Sequence, residues 1–222
     1  MKFVMTKTFA AAALSLLVVA GCGNRSDGAG DARRESAAGH PSPAAAQAGL
    51  NITATAPDGW YRMPVDTTQA MMEQGANVVA GDNQQLQAAA RAAAQTTIQL
   101  FGYMRVPPGS PTNENPSVVG MAENVKAAPG VQRGRDYFFQ VQRLWEQSTM
   151  DVHVLGNDQT RQIDGHPFDR IDVKVNAMGR EIFQSYYAAR RNDHMIVFIQ
   201  SWQSDGEKTQ TDGIVDSIKL NW

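Results

Sequence analysis

The C-terminal half of the chain carries the clearest alternation of apolar and polar positions. Met150, Val152 and Val154 alternate with Asp151 and His153, and Ile171, Val173 and Val175 alternate with Arg170, Asp172 and Lys174. A period of two places one set of side chains on each face of a strand, so each segment predicts a strand with one buried face. Ala177-Met178-Gly179 turns the chain into Ile182–Arg190, and Asn192-Asp193 turns it into Met195–Trp202. Short turns between strands predict an antiparallel meander. Before it, Tyr137, Val141, Leu144 and Trp145 recur at helical spacing, so Asp136–Gln147 predicts an amphipathic helix.

The remaining elements follow from similar signals. Ile52–Thr55 reads as a short strand, Pro57-Asp58-Gly59 as a turn, and Trp60–Met63 as the segment after it. Pro64 and Asp66 start a helix near Thr67. The alanine-rich stretch from about Asn83 to Thr97 predicts a second helix, because alanine has the highest helix propensity. Leu86 is its one large apolar residue, so that helix must pack closely or stay substantially exposed. Ile98–Val106 and Ser117–Val125 read as strands separated by a loop rich in Pro, Asn and Ser from Pro107 to Pro116. Asp205-Gly206 opens a last helix with Ile214 and Ile218 on one face. Helices interleaved with antiparallel strands predict an α+β sandwich over one domain, residues 50–222. A chain of that size buries about 70% of its unfolded surface.

The first 21 residues break from this pattern. Lys2 and Lys7 precede an uncharged apolar run, Phe9–Ala20, which ends in Val19-Ala20-Gly21-Cys22. A basic start, an apolar middle and small residues before a cut form an export signal. The run is about 12 residues, whereas a spanning helix needs roughly 20. Val19-Ala20-Gly21-Cys22 resembles the lipobox of bacterial lipoproteins. That resemblance implies cleavage between Gly21 and Cys22 and attachment of lipid, palmitate included, to the Cys22 thiol. Cys22 is the only cysteine, so the mature fold has no disulfide, although an oxidising compartment would permit one. Position 23 is Gly, not Asp, which by the Gram-negative sorting rule implies the periplasmic face of the outer membrane; an inner-membrane anchor is the alternative. Residues 22–49, rich in Gly, Ala, Ser and Pro, read as the lipidated cysteine and a flexible tether. A coil of that length reaches roughly 25–30 Å.

Composition narrows the function classes. Of 20 basic residues, Lys2 and Lys7 leave with the leader, so 18 face 22 acidic residues, a formal charge of −4. No basic footprint points to nucleic acid; Arg33-Arg34 and Arg190-Arg191 are isolated pairs.

Ala56-Pro57-Asp58-Gly59-Trp60, the Gly-containing turn before Ile182–Tyr187, and the ending Asp212-Gly213-Ile214-Val215-Asp216-Ser217-Ile218-Lys219 resemble the Mog1/PsbP-like group, which includes DcrB-like lipoproteins. The resemblance spans residues 51–222. It implies an α/β/α sandwich around an antiparallel sheet and no single function, and it assigns no functional residue.

Candidate chemistry is sparse. The sequence has no phosphate loop, no His-Glu-x-x-His, no Gly-x-Ser-x-Gly and no EF-hand loop. His40 lies in the tether. His153 near Asp151 has a spacing compatible with a metal pair, but that strand face is expected to be solvated. His166 and His194 are expected in turns. Asp169 with Asp172, and Glu181 near Arg180, are the imaginable acid–base pairs, and nothing in the sequence shows a cleft around them. No catalytic residue, cofactor or metal site is assigned. Tyr137, Phe138, Phe139 and Trp145 cannot all face inward from one helix, and Tyr186 and Tyr187 point to opposite sheet faces. Most of these aromatics are expected in the core, with the remainder lining a concave surface; the 107–116 loop is a candidate contact. The expectation is a membrane-anchored, non-catalytic binding or accessory factor of the envelope with a protein partner. The competing reading is an envelope hydrolase whose site is assembled from scattered residues.

Overall fold

The structure, a computed structural model, describes residues 43–221 apart from 81, 113, 149 and 178. The leader, Gly21, Cys22, His40 and most of the tether lie outside the described residues.

The fold is α+β, with elements in the order α1 (Pro43–Gln47), β1 (Asn51–Thr53), β2 (Tyr61–Arg62), α2 (Val65–Ala80), α3 (Gln84–Thr96), β3 (Thr97–Met104), β4 (Ser117–Asn124), α4 (Gly134–Gln147), β5 (Asp151–Ile163), β6 (His166–Ala177), β7 (Arg180–Arg191), β8 (His194–Trp202), α5 (Asp205–Asp216) and β9 (Lys219–Asn221). Seven strands form one antiparallel sheet in the order β2-β3-β4-β8-β7-β6-β5, and β1 pairs with β9 beside it. The expected meander is β5–β8. The β3–β4 hairpin joins it through β8, so α4 carries the chain to the far edge of the sheet. The helices and the small β1–β9 pair flank both faces, which is the α/β/α layering that the family resemblance implies.

Strand alternation sorts side chains into two cores. The first lies under α2, α3 and α4. It takes Ile171, Val173 and Val175 from β6, Tyr186 and Ala188 from β7, and Met195, Val197 and Ile199 from β8. The second lies under α1, α5 and the β1–β9 pair. It takes Phe168, Tyr187, Ile196 and Phe198 from the sheet and Ile214, Val215 and Ile218 from the last helix and its exit. The cores differ in kind: Met63, Met71, Met72, Met104, Met121 and Met195 belong to the first, and the second contains none among the described residues.

Local chemistry explains the boundaries. Helix α4 starts at Gly134, two residues earlier than expected. A Cβ there would overlap the carbonyl oxygen of Ala188, so only glycine lets the helix end sit this close to β7. Asp136 Oδ2 accepts from the backbone N–H groups of Gln132 (3.0 Å) and Arg133 (3.1 Å), satisfying donors that a helix start leaves open. Between β5 and β6, Asp164 and Gly165 both have positive φ (46° and 78°), the geometry of a two-residue turn that matches strand twist. Asp164 also accepts from the backbone N–H of Leu220 (2.8 Å) and from Lys219 Nζ (3.0 Å), docking β9. Those two contacts hold its carboxyl below the ordinary range.

Two expectations need correction. Residues 43–47, assigned by composition to the flexible tether, form α1, and Ala45 is fully buried in the second core; its small side chain lets the helix lie close against β3. The strand expected over Met150–Val154 begins at Asp151 and runs on to Ile163, through a stretch whose apolar alternation fails at Gly156.

Beneath α4 the first core holds a carboxyl group. Glu123 is fully buried, its Oε2 accepts from the Tyr137 hydroxyl at 2.8 Å, and its Oε1 has no hydrogen-bond partner among the described residues. Burial pushes this carboxyl well above its ordinary value, with the Tyr137 hydrogen bond opposing the shift more weakly. The second core is closed by a polar network under α5. Arg161 donates to Tyr187 Oη (3.0 Å), Asp212 Oδ1 (3.2 Å) and Asp216 Oδ1 (2.6 Å), and Gln200 donates to Thr211 and Asp212.

Candidate functional site

The open flank of α4 faces the irregular part of β5. Pairing with β6 slips between Val154 and Gly156 and again between Gly156 and Gln159. Such bulges bend a strand and re-aim its side chains. Asp158, in this stretch, adopts φ +59°, a conformation that a side chain disfavours. The bend opens a groove of about 440 Å³ between α4, β5 and the start of β6.

Phe139 lines the groove and is 58% exposed, a large apolar surface for a helix whose Tyr137, Phe138, Val141 and Trp145 are buried. The Arg143 guanidinium lies over its ring at 5.9 Å. Val154 and Leu155 (57% exposed) add apolar surface on β5, which is an edge strand. The polar side of the groove is built around the start of α4. Asp169 Oδ2 accepts from the Arg135 backbone N–H at 3.0 Å, which places an anion at the positive end of the helix. The Arg135 guanidinium lies 3.8 Å from both Asp158 Oδ1 and Asp169 Oδ1. These distances exceed a hydrogen bond, so the guanidinium keeps donor capacity for a ligand. Gln142 and Gln159 add amides to the lining. An aromatic anchor beside a loosely paired charge suits binding: the ring supplies buried area and the charge supplies orientation.

The residues singled out in the sequence fall as follows. Tyr137, Phe138 and Trp145 enter the core and Phe139 faces outward, as the helical spacing required. Tyr186 and Tyr187 lie on opposite sheet faces, each fully buried. His153 Nε2 lies 2.8 Å from Asp151 Oδ1 on an exposed face. Asp151 also accepts from Asn176 Nδ2 (2.7 Å), and chiefly for that reason its carboxyl sits below the ordinary range. No group of three metal-ligating side chains occurs among the described residues. His166 and His194, expected in turns, are the first residues of β6 and β8. Asp169 and Asp172 do not converge. Asp169 serves α4, while Asp172 accepts from Arg170 Nε (2.8 Å) and Ser185 Oγ on the opposite face. Glu181 accepts from Lys174 Nζ at 2.7 Å. The 107–116 loop is fastened rather than free, because Asn115 exchanges two 3.0 Å hydrogen bonds with the Val106 backbone. Sequence reasoning missed Glu123 and the groove itself. The acid near the end of an apolar strand was a visible signal for the first; the second is assembled from three successive elements whose approach depends on the bend in β5.

No protein-family model matches the chain, and no curated protein matches it. Solved structures give weak likenesses. LpqN of Mycobacterium tuberculosis, described as involved in cell envelope biogenesis, is 13% identical with a TM-score of 0.39, over 77% of this chain and 83% of its own. The cyanobacterial PsbP of Synechocystis is 14% identical with a TM-score of 0.41, over 76% and 86%. A Bacteroides thetaiotaomicron protein is 9% identical with a TM-score of 0.37, over 76% and 44%. Likenesses this low assign the chain neither a family nor a function.

Proposed function

We propose that the chain is a lipoprotein of the bacterial envelope, anchored through lipid on Cys22 at the periplasmic face of the outer membrane, and that its folded domain is a non-catalytic binding or accessory factor that engages a protein partner through the α4–β5 groove. The observation that carries the binding role is Phe139, an exposed aromatic at the lip of a groove whose Arg135 is only loosely paired. Aromatic and arginine side chains are the types that dominate binding energy at interfaces. The leader and its Val19-Ala20-Gly21-Cys22 ending support the anchoring. No described helix is long and apolar enough to cross a membrane.

The test is site-specific photocrosslinking in intact cells. A photoreactive phenylalanine analogue replaces Phe139 in one strain and exposed Arg91 on α3 in another. One protein crosslinked reproducibly from position 139, absent from position 91 and reduced by Cys22→Ser, is the expected result. Identical crosslinks from both positions overturn the groove as the contact site.

A further inference from the structure

Phe183 and Trp202 belong to neither core. Register places them side by side on β7 and β8, with Lys174 and then His153 continuing the row across β6 and β5. Phe183 alternates with Ser185 and Tyr187, so the row lies on the sheet face of the second core. Helix α5 packs over β8 and β4 on that face and leaves both rings partly exposed. The rings are nearly parallel, 20° apart, with centroids 6.2 Å apart. That separation is an offset stack, which leaves part of each ring face uncovered. Lys208 Nζ lies over Trp202 at 5.5 Å and donates to Asp212.

We propose that this row is a binding platform for a neutral, β-1,4-linked glycan, its sugar rings packing on the parts of the Phe183 and Trp202 faces that the stack and Lys208 leave uncovered. A pyranose with equatorial hydroxyls presents a face of axial C–H bonds, and the negative π-face of an aromatic ring attracts such hydrogens. Hydroxyls around the sugar rim need donors and acceptors together. Lys174 and Glu181 flank Phe183 as an ion pair at 2.7 Å, and Asn176 and Asp172 extend the polar border on either side. From Lys174 to Trp202 the row crosses two strand spacings, about 10 Å, the length of about two sugar units. Charge favours an uncharged ligand: the carboxylates of Asp151, Asp172, Glu181 and Asp212 offset Arg170, Lys174 and Lys208, with His153 beside them. A nucleic acid would also stack on aromatics, but it needs an excess of cations to offset its phosphates.

The experiment is saturation-transfer NMR on the full chain in zwitterionic detergent, with chitotetraose, cellotetraose, maltotetraose and oligothymidylate as probes. The expected result is transfer to the axial ring protons of the two β-1,4-linked tetrasaccharides, with Kd of about 1 mM. The coiled α-linked maltotetraose should bind more weakly. Trp202→Ala or Phe183→Leu should weaken binding at least about tenfold while far-UV circular dichroism stays unchanged. If Trp202→Ala fails to fold, Phe183→Leu carries the comparison. The proposal is overturned by no transfer to either β-linked sugar at about 10 mM, by undiminished binding in the folded variants, or by oligothymidylate displacing the sugars as the tighter ligand.

Discussion

Replacing Glu123 by Gln tests the buried carboxyl beneath α4. In the folded chain Glu123 is fully enclosed, with one oxygen bonded to Tyr137 and the other without a partner among the described residues, and burial raises its pKa well above the ordinary 4.5. The sign follows from proton counting. Between the unfolded and the folded pKa, the native state holds a proton that the unfolded chain has released. Stability therefore falls as pH rises through that window, at about 1.4 kcal/mol per pH unit for one group. Above the folded pKa the slope stops and the full cost remains. Glutamine has the same shape and no proton to lose, so the variant lacks this slope. The assay is urea unfolding of wild type and Glu123→Gln in buffers from about pH 4 to pH 8, read by circular dichroism. At the acid end the two should agree within about 1 kcal/mol, because each presents a neutral group to Tyr137. Towards the alkaline end Glu123→Gln should become progressively the more stable, and the difference curve isolates Glu123 from every titration the two proteins share. A difference that stays constant across the range would refute the account of Glu123 as a carboxyl kept neutral by burial.

Other perturbations probe separate parts of the molecule. Arg161→Ala removes the donor that ties β5 to Tyr187, Asp212 and Asp216, and should cost about 2 kcal/mol in urea unfolding; a loss under about 0.5 kcal/mol would mean that the network does not fasten α5. Gly134→Ala drives a methyl group into the Ala188 carbonyl and the Asp169 side chain, and should lower stability by roughly 1–3 kcal/mol, visible as a reduced Tm. Phe139→Ala, at an exposed position, should change stability by less than about 0.5 kcal/mol, so any loss of a crosslinked partner reports contact rather than folding. Cys22→Ser should move the protein out of the membrane fraction or leave its leader uncleaved; unchanged fractionation would remove the case for a lipid anchor.

The elements that were legible in the sequence are those with enough residues to show a period. Ile171, Val173 and Val175 announced β6, and Tyr137, Val141 and Trp145 announced α4, because each burial pattern is set within a dozen residues. The short β9 was not legible. Three residues carry no period, and its register partners Asn51, Ile52 and Thr53 lie at the other end of the domain. The extension of β5 was obscured by Gly156 and its slipped register. The sites were less legible than the fold. The groove takes Arg135 and Phe139 from α4, Asp158 from β5 and Asp169 from β6, and nothing local in any of those segments signals the others. Phe183 and Trp202 likewise become neighbours only through the register of β7 and β8.

The unequal sharing of methionine between the two cores gives the molecule a weak side in chemical ageing. Oxidation turns the flexible thioether of methionine into a polar sulfoxide. Inside the first core a sulfoxide at Met71, Met104 or Met195 would leave a strong acceptor with no water at hand, a burden of roughly 1–3 kcal/mol each. The second core offers no such target among its described residues. Damage from peroxide would therefore loosen the layer of α2, α3 and α4 while α5 and the β1–β9 pair stay seated, so an oxidised molecule would fail from one face of its sheet only.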